Sequence, residues 1–221
     1  MSATASTIMP VAAMDPSKAR AFWFALVDNA ARLVVDADVL GPTSPRAKSL
    51  VVLAMEELGK AQWVAQIYSW SWNSGDEAEL DVPYLDEFGA SHRQKLMQST
   101  CYIEGASEFV SELRLFRSHA EVHLRPGVSV SDPRQYADYL VSQADGCNKA
   151  KQRGFYVDMG EDGALLVPRE IDLSGVADEI WGAADTVQSM LLDRSLMGDL
   201  DPRLDSIEAL IAPILERGPS S

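Results

Sequence analysis

The sequence predicts a mainly α-helical bundle with one small β-hairpin inserted late. Three observations carry that expectation. Apolar residues recur at helical spacing over long segments. Four of those segments open on a pair suited to a helix start: Asp15-Pro16, Ser44-Pro45, Asp132-Pro133 and Asp201-Pro202. In each, the first residue can cap and the proline fits the first turn. Only one region, Phe155 to Val167, reads as strand, turn and strand.

The first helix opens at Asp15 and stops at Gly41-Pro42. Phe22, Leu26, Ala30, Leu33, Ala37 and Leu40 form its stripe, widened by Trp23, Val27 and Val34. The second helix opens at Ser44-Pro45 and runs to about Ser71. The short connection makes the pair an antiparallel hairpin. Asn73 to Ala90 is an acidic loop with room for a short helix around Tyr84 to Phe88. Ser91 caps a third helix expected to run to His123, stopped by Pro126-Gly127. Its stripe is Leu96, Ser99, Ile103, Ala106, Val110 and Leu113. A fourth helix runs from Asp132-Pro133 to near Gly154, and the hairpin follows it. Ser174 opens a fifth helix carrying Ile180, Ala184, Val187 and Leu191. Asp201-Pro202 opens a sixth carrying Leu204, Ile207, Leu210, Ile211 and Ile214. One helical domain is expected over residues 15–217, after a disordered lead-in from Met1 to Met14.

Composition narrows the function classes. The chain has 221 residues, 47% hydrophobic and 24% charged, ordinary for a folded soluble protein. Its longest apolar run, Leu50 to Met55, is too short to span a bilayer. No basic residue precedes Lys18, so the start does not read as a secretory signal. Cys101 and Cys147 are then expected as reduced thiols in a cytoplasmic protein. The net charge is −14, with Asp76, Glu77, Glu79, Asp81, Asp86 and Glu87 in one stretch. Such a surface repels phosphate, so contact with RNA needs a local basic site. There is no Gly-rich phosphate loop, no C-x-x-C pair and no G-x-S-x-G. No cofactor is expected.

The second helix holds the most informative run, Ser49 to Ala61. Leu50, Ala54, Leu58, Ala61, Ala65 and Tyr68 share one face. Glu57, seven residues after Leu50, projects from near its centre. A carboxylate aimed into a core is costly unless a partner meets it. His92, on the inner face of the third helix, is the expected partner. Glu56 and Lys60, four apart, are expected to pair on the flank. The pair Glu57–His92 reads as a buried lock between helices or as a site where Glu57 orients a proton-transferring His92. Lys60 and Lys95 read as surface cations or as phosphate contacts. A metal held by Glu56, Glu57 and His92 is awkward, because adjacent helical residues diverge by about 100°. Lys149, Lys151 and Arg153 suit a helix C-terminus, or form a phosphate-binding rim. Trp70 and Trp72 read as packing residues or as a partner surface.

Four segments in order carry a family resemblance. Ala25 to Ala37 (ALVDNAARLVVDA) resembles the first helix of the AbiV family of abortive-infection proteins. Ala54 to Ala61, with Glu56, Glu57, Gly59 and Lys60, resembles that family's E-E-x-G-K motif. His92 to Lys95 resembles its H-x-x-K motif. Lys151 to Asp158, with Tyr156 and Asp158, resembles its glycine–aromatic–Tyr-Val-Asp hairpin, with Pro168 beyond it. The resemblance covers residues 20–195. It implies a bacterial anti-phage protein with a HEPN-like helical fold. Proteins of that superfamily are often homodimers and often ribonucleases, and the AbiV type is associated with a translation block triggered by a phage-encoded protein.

HEPN ribonucleases use an Arg followed by four to six residues and then a His. The resemblance therefore implies Arg114 with His119, or Arg117 with His123, as site residues, with Arg117 also a phosphate contact. On one continuous helix, Arg114 and His119 sit about 140° apart, so they cooperate only across a helix break or a dimer. The tyrosine usual after the His is absent; Ala120 and Glu121 follow. Two functions are expected from the whole. One is a metal-independent endoribonuclease or translation inhibitor. The other is a non-catalytic dimeric module that senses a phage protein and blocks translation by binding.

Overall fold

The computed structural model describes residues 13–82, 85, 91–103, 122–125, 128–130, 133–159 and 165–219. Its elements run in chain order as α1 (Pro16–Leu40), α2 (Pro45–Ser74), α3 (His92–Ile103), β1 (Val122–Arg125), β2 (Val128–Val130), α4 (Pro133–Phe155), β3 (Asp158–Met159), β4 (Leu165–Leu166), a 3-10 turn (Pro168–Glu170), α5 (Val176–Leu196) and α6 (Pro202–Arg217). The mainly helical class is as expected.

Local chemistry sets the starts of α1, α3 and α6, while Ser44 before α2 makes no side-chain cap hydrogen bond. Asp15 accepts a hydrogen bond from the Lys18 amide at 2.7 Å, and Asp201 accepts from the Arg203 amide at 3.0 Å. Ser91 Oγ accepts from the Gln94 amide at 3.3 Å. α5 begins at Val176, with Gly175 rather than the expected Ser174 at its cap, in the left-handed region at φ 78°.

α2 is the centre of the arrangement. It packs against α1 through the tight hairpin, and also against α3, α4 and α5. α6 closes over α1 and α5, burying Leu204, Ile207, Ile211 and Ile214. On α1 the buried face centres on Trp23, Val27, Ala30 and Val34, while Phe22 and Leu33 lie at its edge and Leu40 is exposed. Trp72 packs inward: its indole donates to the Pro16 carbonyl at 2.8 Å, and Arg194 lies over its ring. Trp70 stands out from the surface, 75% exposed.

The structure corrects several expectations. Residues 122–125 are strand, not the end of the third helix, and pair antiparallel with 128–130. The run Val122-His123-Leu124-Arg125 and the run Val128-Ser129-Val130 flank Pro126-Gly127, so that dipeptide separates two strands where a helix stop was expected. The late hairpin is not seen as drawn from the sequence. Phe155 belongs to α4, and among the described residues the pairs are Asp158 with Leu166 and Met159 with Leu165. Met14, placed in the lead-in, is buried, and its backbone bridges Leu80 through two 3.1 Å hydrogen bonds. The expected short helix near Tyr84 lies outside the described residues apart from Leu85, which is buried.

Candidate functional site

The site grows from a second buried face of α2. Ser49, Val52, Glu56, Gly59 and Trp63 alternate at spacings of three and four, so they line one stripe. All five are buried. This stripe lies nearly opposite the Leu50–Leu58 face, and α3 and α4 pack on it. Two glycines set how closely they pack. A Cβ at Gly59 would lie 2.0 Å from the Lys95 carbonyl oxygen on α3. A Cβ at Gly154 on α4 would lie 1.9 Å from Ser49 Oγ and 2.5 Å from the Pro45 carbonyl oxygen. Ser49 Oγ donates to the Lys151 carbonyl at 2.8 Å, and the Trp63 indole donates to Gln98 Oε1 at 3.2 Å.

Glu56 sits at the meeting point of the three helices, 3% exposed. Lys151 Nζ from α4 donates to its Oε1 at 2.5 Å. Lys95 Nζ from α3 lies 3.4 Å from its Oε2, and His92 Nδ1 lies 2.8 Å from the same oxygen. Lys95 and Lys151 are themselves buried. His92 is the open member: its side chain is 47% exposed. On the surface beside it, Arg93 makes a two-pronged contact with Asp145 at 2.7 and 2.9 Å, joining α3 to α4 a second time.

Burial pushes the Glu56 carboxyl upward, but hydrogen bonds from Lys151 and His92 and the charges of Lys151 and Lys95 outweigh it, so its pKa is lowered. The carboxylate is therefore ionised at neutral pH. One carboxylate facing two ammonium groups leaves the cluster cationic before His92 is counted.

His92 Nδ1 also lies 2.8 Å from Lys151 Nζ. Nδ1 carries at most one hydrogen, so its two contacts exclude each other as hydrogen bonds. A protonated Nδ1 donates to Glu56 and leaves the lone pair on Nε2. A bare Nδ1 accepts from Lys151 and puts the hydrogen on Nε2. The first arrangement leaves Nε2 able to take a proton, and the second presents Nε2–H as a hydrogen-bond donor. Both oxygens of Glu56 face ammonium groups, which makes it a poor metal ligand. No group of three metal-ligating side chains occurs among the described residues.

The roles of the two glutamates are the reverse of the expected ones. Glu57 pairs with Lys60 at 2.7 Å on the half-open flank, and Glu56 turns inward to His92. A helix advances about 100° per residue, so neighbours face different surroundings, and here both sides of α2 are covered. Lys95 joins the site. Lys60 remains with Glu57 outside it. Gly59 allows the helix approach, and Tyr156 stands exposed just beyond α4. Asp158 lies on β3. Arg114, Arg117 and His119 lie outside the described residues, and His123 is on β1, opposite Ser129. The sequence suggested Lys151 at a helix end or on a phosphate-binding rim, not beside Glu56. Its signal was present: Glu56–Gly59, His92–Lys95 and Lys151–Gly154 share one pattern, an ionic or imidazole residue three positions before a residue at a helix contact.

No helix among the described residues is long and apolar enough to cross a membrane. No curated protein matches the chain, and no solved structure matches it. A model of the HEPN-type AbiV family matches residues 18–189, taking in α2, α3, α4 and the buried Glu56 cluster between them. That span exceeds half the chain, and this protein therefore belongs to the AbiV family of HEPN type.

Proposed function

We propose that the protein is an abortive-infection effector that cleaves RNA without a metal ion, with His92 moving the proton. The observation behind this is a half-open imidazole held at Nδ1 by a buried, ionised carboxylate. Glu56 selects the tautomer in which Nε2 is bare. Nε2 takes the proton of a ribose 2′-hydroxyl, the 2′-oxygen attacks the adjacent phosphorus, and the bond to the 5′-oxygen breaks. The products are a 2′,3′-cyclic phosphate and a 5′-hydroxyl, whose proton comes from a general acid. The net positive cluster behind His92 favours the charge that builds on the phosphate. In this reading His119 and Arg114 are the candidates for acid and phosphate clamp. A second copy of the chain and a phage-encoded trigger are its expected partners.

The test is digestion of total RNA and tRNA by wild type, His92→Ala and His119→Ala, with and without EDTA. Wild-type cleavage should survive EDTA and fall by roughly 100-fold or more in His92→Ala. Undiminished cleavage by His92→Ala would remove that residue from the chemistry.

A second reading has its own observation. Glu56, Lys95 and Lys151 are each more than nine-tenths buried, with 3, 7 and 8% exposure. Such a cluster also serves as a lock joining three helices. The protein would then block translation by occupancy after sensing a phage protein. In that case His92→Ala protects cells from phage as wild type does, provided the fold persists.

A further inference from the structure

A cleft of about 450 Å³ lies where α4 ends and β4 begins to cover it, lined by Lys149, Gln152, Arg153, Tyr156, Val157 and Leu166. Residues 149, 152, 153 and 156 fall within one face at helical spacing. The Tyr156 amide donates to the Gln152 carbonyl at 3.0 Å, carrying the helical pattern one step past Phe155. Lys151 points the other way, into the Glu56 cluster. This face is therefore separate from the His92 site, across the width of one helix.

Its composition is unlike the rest of the chain. The protein carries a net charge of −14, yet among the described residues the charged side chains lining this cleft, Lys149 and Arg153, are cations. Lys149 and Arg153 are exposed, and neither has an ion-pair partner among the described residues. Several other surface cations are engaged, Arg32 with Asp28, Arg93 with Asp145, Arg203 with Asp201 and Arg217 with Asp38, while Lys18 and Arg46 are exposed but do not line this aromatic-lined cleft. Tyr156 adds an aromatic step to the same face, just past Arg153. Tyr156 is 68% exposed and meets Phe155 edge-on, with centroids 6.3 Å apart. A large exposed ring braced by a second ring and sharing a face with two exposed cations is a costly surface to leave bare.

We infer that this cleft binds an unpaired nucleotide of single-stranded RNA, the base stacked on Tyr156 and the adjoining phosphates held by Lys149 and Arg153. The inference rests on the reading that the protein acts on RNA, and it adds where the strand is gripped. Aromatic stacking accepts any base, while two cations on one face meet successive phosphates. A duplex offers no free base face, so the site discriminates against it. The strand must pass around α4 to reach His92. That is about 10 Å, the diameter of a helix.

The experiment measures binding apart from cleavage. The probe is a short fluorescein-labelled 2′-O-methyl RNA, which lacks the free 2′-hydroxyl that cleavage requires. Anisotropy titrations compare the single strand, the same sequence as a duplex, and AMP as competitor. Wild type should prefer the single strand. Tyr156→Ala should weaken it by roughly five-fold or more, and Tyr156→Phe should retain it. Lys149→Ala with Arg153→Ala should flatten the slope of log affinity against log salt by roughly 1.4. Circular dichroism melts verify that these surface variants fold. Equal binding of the duplex, no binding by wild type, or unchanged binding in folded Tyr156→Ala would each overturn the assignment. Displacement by AMP as effective as by the oligonucleotide would also overturn it, in favour of a free-nucleotide pocket. Unmodified RNA scored in parallel separates the two readings. Binding without cleavage strikes the ribonuclease reading alone, and cleavage that ignores Tyr156→Ala strikes this one alone.

Discussion

At the scale of single residues, the site turns on which of two adjacent glutamates is buried. Glu56 faces Lys95, Lys151 and His92, while Glu57 shares the flank with Lys60. Removing the charge of Glu56 leaves two buried ammonium groups with no other carboxylate partner among the described residues. Glu56→Gln is therefore expected to cost roughly 3 kcal/mol or more, and Glu57→Gln under about 1 kcal/mol. Urea denaturation of the two variants reads the difference, and equal costs would refute the placement. The same carboxylate predicts an acid dependence. Its pKa in the folded chain lies below the ordinary 4.5. Its contribution is thus fully present above about 4.5 and is lost as pH falls through the lower folded value. Wild type should lose stability across that acid range, and Glu56→Gln should lose less.

At the scale of elements, α2 is a helix with two buried faces of different kinds. The Leu50–Leu58 face is apolar and visible as periodicity. The Ser49–Val52–Glu56–Gly59–Trp63 face is small and polar, and it works by close approach. Gly59→Ala adds a methyl where the Lys95 carbonyl already stands, so α3 must move. The expected cost is about 1–3 kcal/mol, against the helix propensity that alanine gains. Gly146 on α4 is the contrast, with nothing within 4 Å of its missing Cβ. Gly146→Ala should stabilise by up to about 1 kcal/mol. Thermal melts of the pair test this; stabilisation by Gly59→Ala would show that the helices are not held that closely.

At the scale of the molecule, the family match stops at residue 189, but the packing does not. α6 covers α1 and α5 with four buried aliphatic side chains. Asp199 receives Arg20 and Arg194 in the connection just before it. Each aliphatic residue is worth about 1.5–3 kcal/mol when fully buried, and a whole domain is stable by only about 5–15 kcal/mol. A chain ending at Gly198 is therefore expected to lose its cooperative thermal transition. A truncated protein that melts like the full chain would show that α6 is an appendage.

Much of this was legible in the residues alone. Helix starts at Asp15, Ser91 and Asp201 follow from side chains that reach amides two or three positions on, an interaction within one turn of chain. The apolar faces of α1, α5 and α6 follow from spacing, because burying them needs only some neighbour. The family resemblance, too, lies in linear motifs. What the linear pattern left open is which neighbour covers which side. Glu56 and Glu57 differ by one step of about 100°, and the choice between them depends on α3 and α4 lying against the polar stripe of α2. Lys151 reaches Glu56 across 95 residues of sequence. The segment 122–125 is strand because 128–130 pairs with it, a partnership that overrides a continued helix. Local rules act over a turn or two. The site is assembled by contacts between helices that only folding brings together.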